Sequence, residues 1–116
     1  MASISTHVLD TVRGQPAEGL VIELHALTNG QRRHLKTTVT NPDGRPRELL
    51  SNSGLDPGFY ELTFHAGDYF RAAGLKLPYP PFLDDVVIRF GIGDPAGHYH
   101  VPLLFSTYGY TTYRGS

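Results

Sequence analysis

His98-Tyr99-His100 puts two imidazoles on one side of an extended chain, about 6.6 Å apart at the rise of a β-strand. Imidazole ionises closer to neutral pH than any other side chain, so such a pair can take a proton from water and return it. The same His-x-His spacing also suits a zinc pair, with His7 as a possible third ligand. A plainer reading makes them surface or interface histidines with no reaction to perform, and spacing alone leans slightly toward it. Arg45 follows the turn Asn41-Pro42-Asp43-Gly44. It is either solvated or a planar clamp for an acidic, planar ligand. His7, beside Val8 and Leu9, is undecided taken singly. His25, His34 and His65 alternate with core-facing positions and read as outward-facing, whereas Asp43, Asp68 and Asp94 read as structural caps in turns.

These side chains need a rigid frame, and the sequence reads as strands and turns. Leu20, Ile22, Leu24 and Ala26 alternate with Val21, Glu23, His25 and Leu27 at the two-residue period of a strand. Asn29-Gly30 supplies a hairpin turn, and Leu35, Thr37 and Val39 mark the return strand. Arg45 is expected to project from a strand that starts after the next turn, and His7 to lie in an amino-terminal strand. Ser51-Asn52-Ser53-Gly54 and Asp56-Pro57-Gly58 read as further turns, followed by a strand with Tyr60, Leu62 and Phe64 on one face. Asp68 is placed to cap a short helix over 69–73, ended by Gly74. Val86 to Phe90, His98 to Phe105 and about Tyr108 to Tyr113 complete the strands. Along the His98 strand, Tyr99, Val101, Leu103 and Phe105 suit a core. The opposite face, with His98, His100, Pro102 and Leu104, is half apolar and half imidazole, which fits a covered surface or cavity better than bulk water. Pro102 lacks an N–H and needs a place where the ladder asks for no donor. Short strands, turns and one brief helix predict an all-β, antiparallel β-sandwich.

The 116 residues suffice for one domain, taken as 1–116. A charged fraction of 18% is below the ~25% of typical soluble domains and suggests that other copies of the chain cover some surface. A net charge of −1 argues against a nucleic-acid footprint. The lack of cysteine removes disulfides, thiol catalysis and thiolate-bound zinc. No apolar run is long enough for a membrane span, and no targeting signal is visible, so a cytoplasmic location is expected. There is no Gly-x-Ser-x-Gly elbow, phosphate loop or His-Glu-x-x-His helix, so histidine and arginine must carry any catalysis.

Several segments together resemble the 5-hydroxyisourate hydrolases of the transthyretin-like family. They are His7-Val8-Leu9-Asp10-Thr11, Asp43-Gly44-Arg45, Gly67-Asp68-Tyr69-Phe70, Pro80-Pro81-Phe82-Leu83, His98-Tyr99-His100-Val101-Pro102-Leu103-Leu104 and Tyr113-Arg114-Gly115-Ser116. The likeness runs from about residue 4 to the last, and the His-Tyr-His-Val-Pro-Leu-Leu segment and Tyr-Arg-Gly-Ser ending are its specific parts. The resemblance implies a transthyretin-like (prealbumin-like) sandwich with one short helix, assembled as a homotetramer with active sites in a channel where dimers meet. It implies hydrolysis of 5-hydroxyisourate to 2-oxo-4-hydroxy-4-carboxy-5-ureidoimidazoline, with no metal and no cofactor. Carried over residue by residue, His7, Arg45 and His100 are the expected catalytic residues. His7, Arg45, His98, Tyr113 and Ser116 are the expected substrate-binding residues. Transthyretin, the hormone carrier of the same fold, lacks this set of histidines, arginine and tail. A carrier of planar aromatic ligands is the alternative class, and a zinc-generated hydroxide the alternative chemistry.

Overall fold

The computed structural model describes residues 2–48 and 50–116. Alternating apolar side chains build the first layer. In β4 (Val21–Thr28), Ile22, Leu24 and Ala26 are buried; in β7 (Gly58–Phe64), Tyr60, Leu62 and Phe64; in β8 (Val86–Ile92), Val86, Ile88 and Ile92. With β5 (Gln31–Val39) they form an antiparallel sheet of order β5-β4-β7-β8, and Asn29 and Gly30 make the β4–β5 turn at positive φ.

The second layer places the candidate chemistry. Its first sheet contains β1 (Ala2–Ser5), β6 (Ser51–Leu55) and β9 (His98–His100), in the order β6-β1-β9. Its other sheet contains β2 (Val8–Asp10), β3 (Gln15–Pro16), β10 (Leu103–Phe105) and β11 (Tyr110–Thr112), in the order β11-β10-β2-β3. Two pairings run parallel, β1 with β9 and β2 with β10, inside an otherwise antiparallel architecture. Ala2, Ile4, Val8, Tyr99, Val101, Leu103 and Phe105 close the core from this side.

The structure departs from five local expectations. Ser51 to Gly54 is strand rather than turn, because β1 offers its edge as an antiparallel partner, and pairing overrides local turn preference. The run from His98 to Phe105 is two strands, interrupted at Val101-Pro102 beside the interruption at Thr6-His7. His7 therefore lies between β1 and β2. Val101 N–H still bonds Ser5 O (2.9 Å) and Leu103 N–H bonds His7 O (3.0 Å), so neighbours carry the ladder past Pro102. Arg45 sits in a bend before the single bridge of Pro46 to Thr40, not on a strand. Helix α1 (Ala66–Ala72) starts before Asp68, which lies in its first turn and accepts a bond from Arg71 (2.9 Å) instead of capping.

His65, at the helix N-cap, ties the helix to the first layer through Glu23 of β4 (2.5 Å) and Asp85 ahead of β8 (2.9 Å). Burial opposes charge on this imidazole, but the two carboxylates outweigh it and raise its pKa above 6.5, while Glu23 is lowered below 4.5 mainly by its bond to His65. A raised pKa stabilises the fold fully below the unfolded value and loses that contribution as pH rises through the folded value. The depressed Glu23 loses its contribution as pH falls below about 4.5. His65→Gln is therefore expected to lower unfolding free energy by about 1 kcal/mol between pH 5 and 6. The difference from wild type should shrink as pH rises beyond 6.5 in paired urea titrations.

Candidate functional site

The break between β1 and β2 turns His7 toward the loop after β5. Its Nε2–H donates to the Asp43 carbonyl oxygen (2.9 Å). A carbonyl only accepts, so this bond fixes the tautomer and leaves Nδ1 as the basic nitrogen of neutral His7. The 41–44 turn is held against β2 by Val8 N–H to Gly44 O (2.8 Å). Gly44 has φ of +76°, and a Cβ there would collide with the Val8 carbonyl oxygen, so only glycine permits this approach. Asn41 Oδ1 accepts the N–H groups of Asp43 (2.9 Å) and Arg45 (3.1 Å), which sets where Arg45 leaves the turn. Arg45 and Ser5 line one cavity of about 300 Å³.

His100 leaves β9 on the opposite face from buried Tyr99, as strand alternation requires, and is half-buried. Its Nδ1 is bonded to Ser5 Oγ (2.7 Å) across the β1–β9 pair, so Nε2 is the ring nitrogen outside that bond. Burial, then the charge of Arg45, then His98 and His7, hold its pKa below the usual imidazole range. At neutral pH His100 is an unprotonated base with a guanidinium nearby. Gly115 bridges it from the other side, its N–H on His100 O (2.8 Å). A Cβ at Gly115 would run into the imidazole ring.

The fold thus brings together His7, Arg45, His98 and His100. Ser116 is exposed and directly follows Gly115. Tyr113 stands apart within the single chain, in a groove of about 310 Å³ shared with Ile88, Phe90 and Tyr99. Arg114, between them, stacks over Tyr99 at 4.3 Å from the ring centre. Ser3 and Ser5 were not marked by residue type. Their signal is positional: Ser3, Ser5 and His7 alternate with Ala2, Ile4, Thr6 and Val8, and so point away from the core. Among the described residues, no group of three or more His, Asp or Glu side chains has the spacing to hold a metal ion, and no helix is long and apolar enough to cross a membrane.

The profile of the HIUase/Transthyretin family matches residues 4–115. The 5-hydroxyisourate hydrolase 2 of Rhizobium meliloti is 57% identical over 114 residues, 97% of this chain and 95% of its own length. The solved structure of Klebsiella pneumoniae 5-hydroxyisourate hydrolase superposes with a TM-score of 0.83 at 37% identity, covering all of both chains. That of (S)-allantoin synthase gives a TM-score of 0.91 at 43% identity, covering 99% of this chain but 44% of that longer protein. Sequence and fold agree over nearly the whole length, and the chain belongs to the HIUase/Transthyretin family.

Proposed function

We propose that this protein hydrolyses 5-hydroxyisourate to 2-oxo-4-hydroxy-4-carboxy-5-ureidoimidazoline in urate breakdown. The observation that carries the reading is the grouping of an unprotonated His100 with His7 and Arg45 outside the core of the second layer. The names of the hydrolase relatives support the substrate. His7 and His100 hold a water, and a proton passes to His100 Nε2 as the oxygen adds to the ring carbonyl. Arg45 binds the substrate and offsets the charge growing on the carbonyl oxygen. The adjacent ring C–N bond then breaks, its nitrogen takes a proton to become the ureido NH2, and the carbonyl carbon becomes the carboxylate. Tyr113 donates a hydrogen bond or packs on the planar ring, with His98 and Ser116 in support. Among the chain's own residues, imidazole supplies the proton chemistry without a metal.

The reading includes a homotetramer with active sites where dimers meet. Exposed aromatic side chains, among them Tyr79, Phe82, Tyr108 and Tyr113, support such a covered surface, and sedimentation tests it. Tyr113 has its substrate role in that assembled channel. A cytoplasmic location belongs to the same reading and is checked by cell fractionation.

Decay of freshly generated 5-hydroxyisourate absorbance, with and without protein, tests the activity. Fast decay that survives EDTA is expected. Loss of activity on chelation, restored by zinc, would move the chemistry to a metal hydroxide. Decay no faster than buffer, with saturable binding of planar ligands, would make the protein a carrier. Gly115→Ala is a second expected outcome. Its methyl group displaces the His100 ring, and turnover should fall roughly 10- to 100-fold by steady-state kinetics, with little change in melting.

A further inference from the structure

His100 is one end of a continuous chain of hydrogen bonds that runs along the β1–β9 pair through the exposed His98 to Ser3. Its Nδ1 meets Ser5 Oγ at 2.7 Å, Ser5 Oγ meets His98 Nε2 at 2.9 Å, and His98 Nδ1 meets Ser3 Oγ at 2.6 Å. The parallel register of β1 and β9, Ser3 opposite His98 and Ser5 opposite His100, builds this ladder of alternating hydroxyls and imidazoles. His100 is half-buried and His98 exposed, so the chain runs from the site to solvent.

A hydroxyl donates one hydrogen, and a neutral imidazole has one donor and one acceptor nitrogen. The chain therefore has two self-consistent directions. In one, His100 Nδ1–H donates to Ser5, Ser5 donates to His98 Nε2, and His98 Nδ1–H donates to Ser3, which leaves His100 Nε2 bare. In the other, every hydrogen has shifted, and His100 carries its proton on Nε2. The two histidines always share a tautomer, and the direction decides whether His100 faces the site as base or as acid.

We propose that Ser5, His98 and Ser3 form a proton relay that switches His100 between these two states during hydrolysis. The proposal rests on the hydrolase reading above. When His100 Nε2 takes a proton from the attacking water, its Nδ1 proton moves to Ser5. The Ser5 proton moves to His98 Nε2, the His98 Nδ1 proton moves to Ser3 Oγ, and Ser3 gives up its own hydroxyl proton at the outer end. When the ring C–N bond breaks, Nε2–H passes to the leaving nitrogen while one proton enters at Ser3 and the chain shifts back through His98 and Ser5 to His100 Nδ1. One proton leaves and one returns, so the relay balances over the two steps. The product acid then ionises as it departs. No cationic imidazole has to persist beside Arg45, a pairing that like charge and burial both oppose. Ser5 and Ser3 are positioning residues that act through His100 rather than on the substrate.

Ser5→Ala cuts the chain and Ser5→Thr keeps a hydroxyl in it. In dilute buffer, Ser5→Ala is expected to lose about 10- to 100-fold in kcat with little change in KM, less than the full contribution of the base itself. Added imidazole should restore much of that rate with saturation, and Ser5→Thr should stay within a few-fold of wild type. Full speed of Ser5→Ala without added imidazole would overturn the relay. So would a loss that neither imidazole nor Ser5→Thr repairs. Nitrogen-15 NMR of the imidazoles gives a readout independent of turnover: in wild type His98 and His100 share one tautomer, and in Ser5→Ala that coupling is lost. If wild type does not consume 5-hydroxyisourate but the coupling depends on Ser5, the substrate assignment falls and the relay stands. Tautomers that ignore Ser5 refute the relay whatever the activity.

Discussion

His100→Ala should lower turnover of 5-hydroxyisourate by about 10²- to 10⁴-fold, the usual contribution of a positioned general base. Two properties of the ring decide this: which nitrogen is free and whether it carries a proton. Nδ1 is engaged by Ser5, and Nε2 is left to meet water. Burial and Arg45 keep the ring unprotonated at neutral pH. The same shift fixes the pH dependence. A base whose pKa lies below 6.5 remains competent down to that lowered value, so the acid limb of kcat/KM should fall below pH 6.5. The alanine variant should lose the part of that limb due to His100. The ring lies outside the apolar core, so melting should change little and the kinetic loss can be read as chemistry. Near-full activity of His100→Ala would remove it as the base and leave His7, whose Nδ1 is the alternative acceptor.

The parts of the fold that the sequence made legible are those governed by period two. Ile22, Leu24 and Ala26, and then Tyr60, Leu62 and Phe64, alternate as expected and are buried as expected. The split face of the His98 segment was also readable, because Tyr99, Val101, Leu103 and Phe105 are apolar while His98 and His100 are not. The break at Val101-Pro102 was less visible, since it depends on a matching break at Thr6-His7 more than ninety residues away. The same is true of Ser51 to Gly54, whose turn-like composition yields to the free edge of β1. At the site, residue type pointed to His7, Arg45, His98 and His100, but not to their grouping. That grouping depends on Gly44 and Gly115, where absent side chains let neighbouring segments approach. Ser5 carries no chemical signal alone; register makes it a bridge between two imidazoles.

Asp10→Ala should destabilise the fold by about 3 kcal/mol, at the lower end for breaking a buried ion pair. Asp10 ends β2 with no exposed surface. One carboxylate oxygen accepts the N–H groups of Val12 (2.9 Å) and Arg13 (3.1 Å). The other accepts Tyr69 Oη (2.7 Å) and Arg13 Nε (2.9 Å). Alanine would strip four donors of their acceptor, and the hydroxyl of buried Tyr69 is the one least able to regain water. Burial works against the charge on Asp10, yet these bonds prevail and lower its pKa below 3.8. A depressed carboxylate stabilises the fold above its unfolded value and loses that contribution as pH falls through the folded value. The gap between wild type and Asp10→Ala should therefore be full at pH 7 and narrow below about pH 3.8. Tyr69 belongs to α1, so this carboxylate fastens the helix to the strand that begins just after His7. It touches none of the proposed catalytic groups, so kcat per folded molecule should stay within a few-fold of wild type while urea midpoints drop. A cost under 1 kcal/mol would show that β2 is held by its pairing with β10 and β3 without this anchor. An equal loss of kcat in fully folded protein would show that the anchor also sets the position of His7.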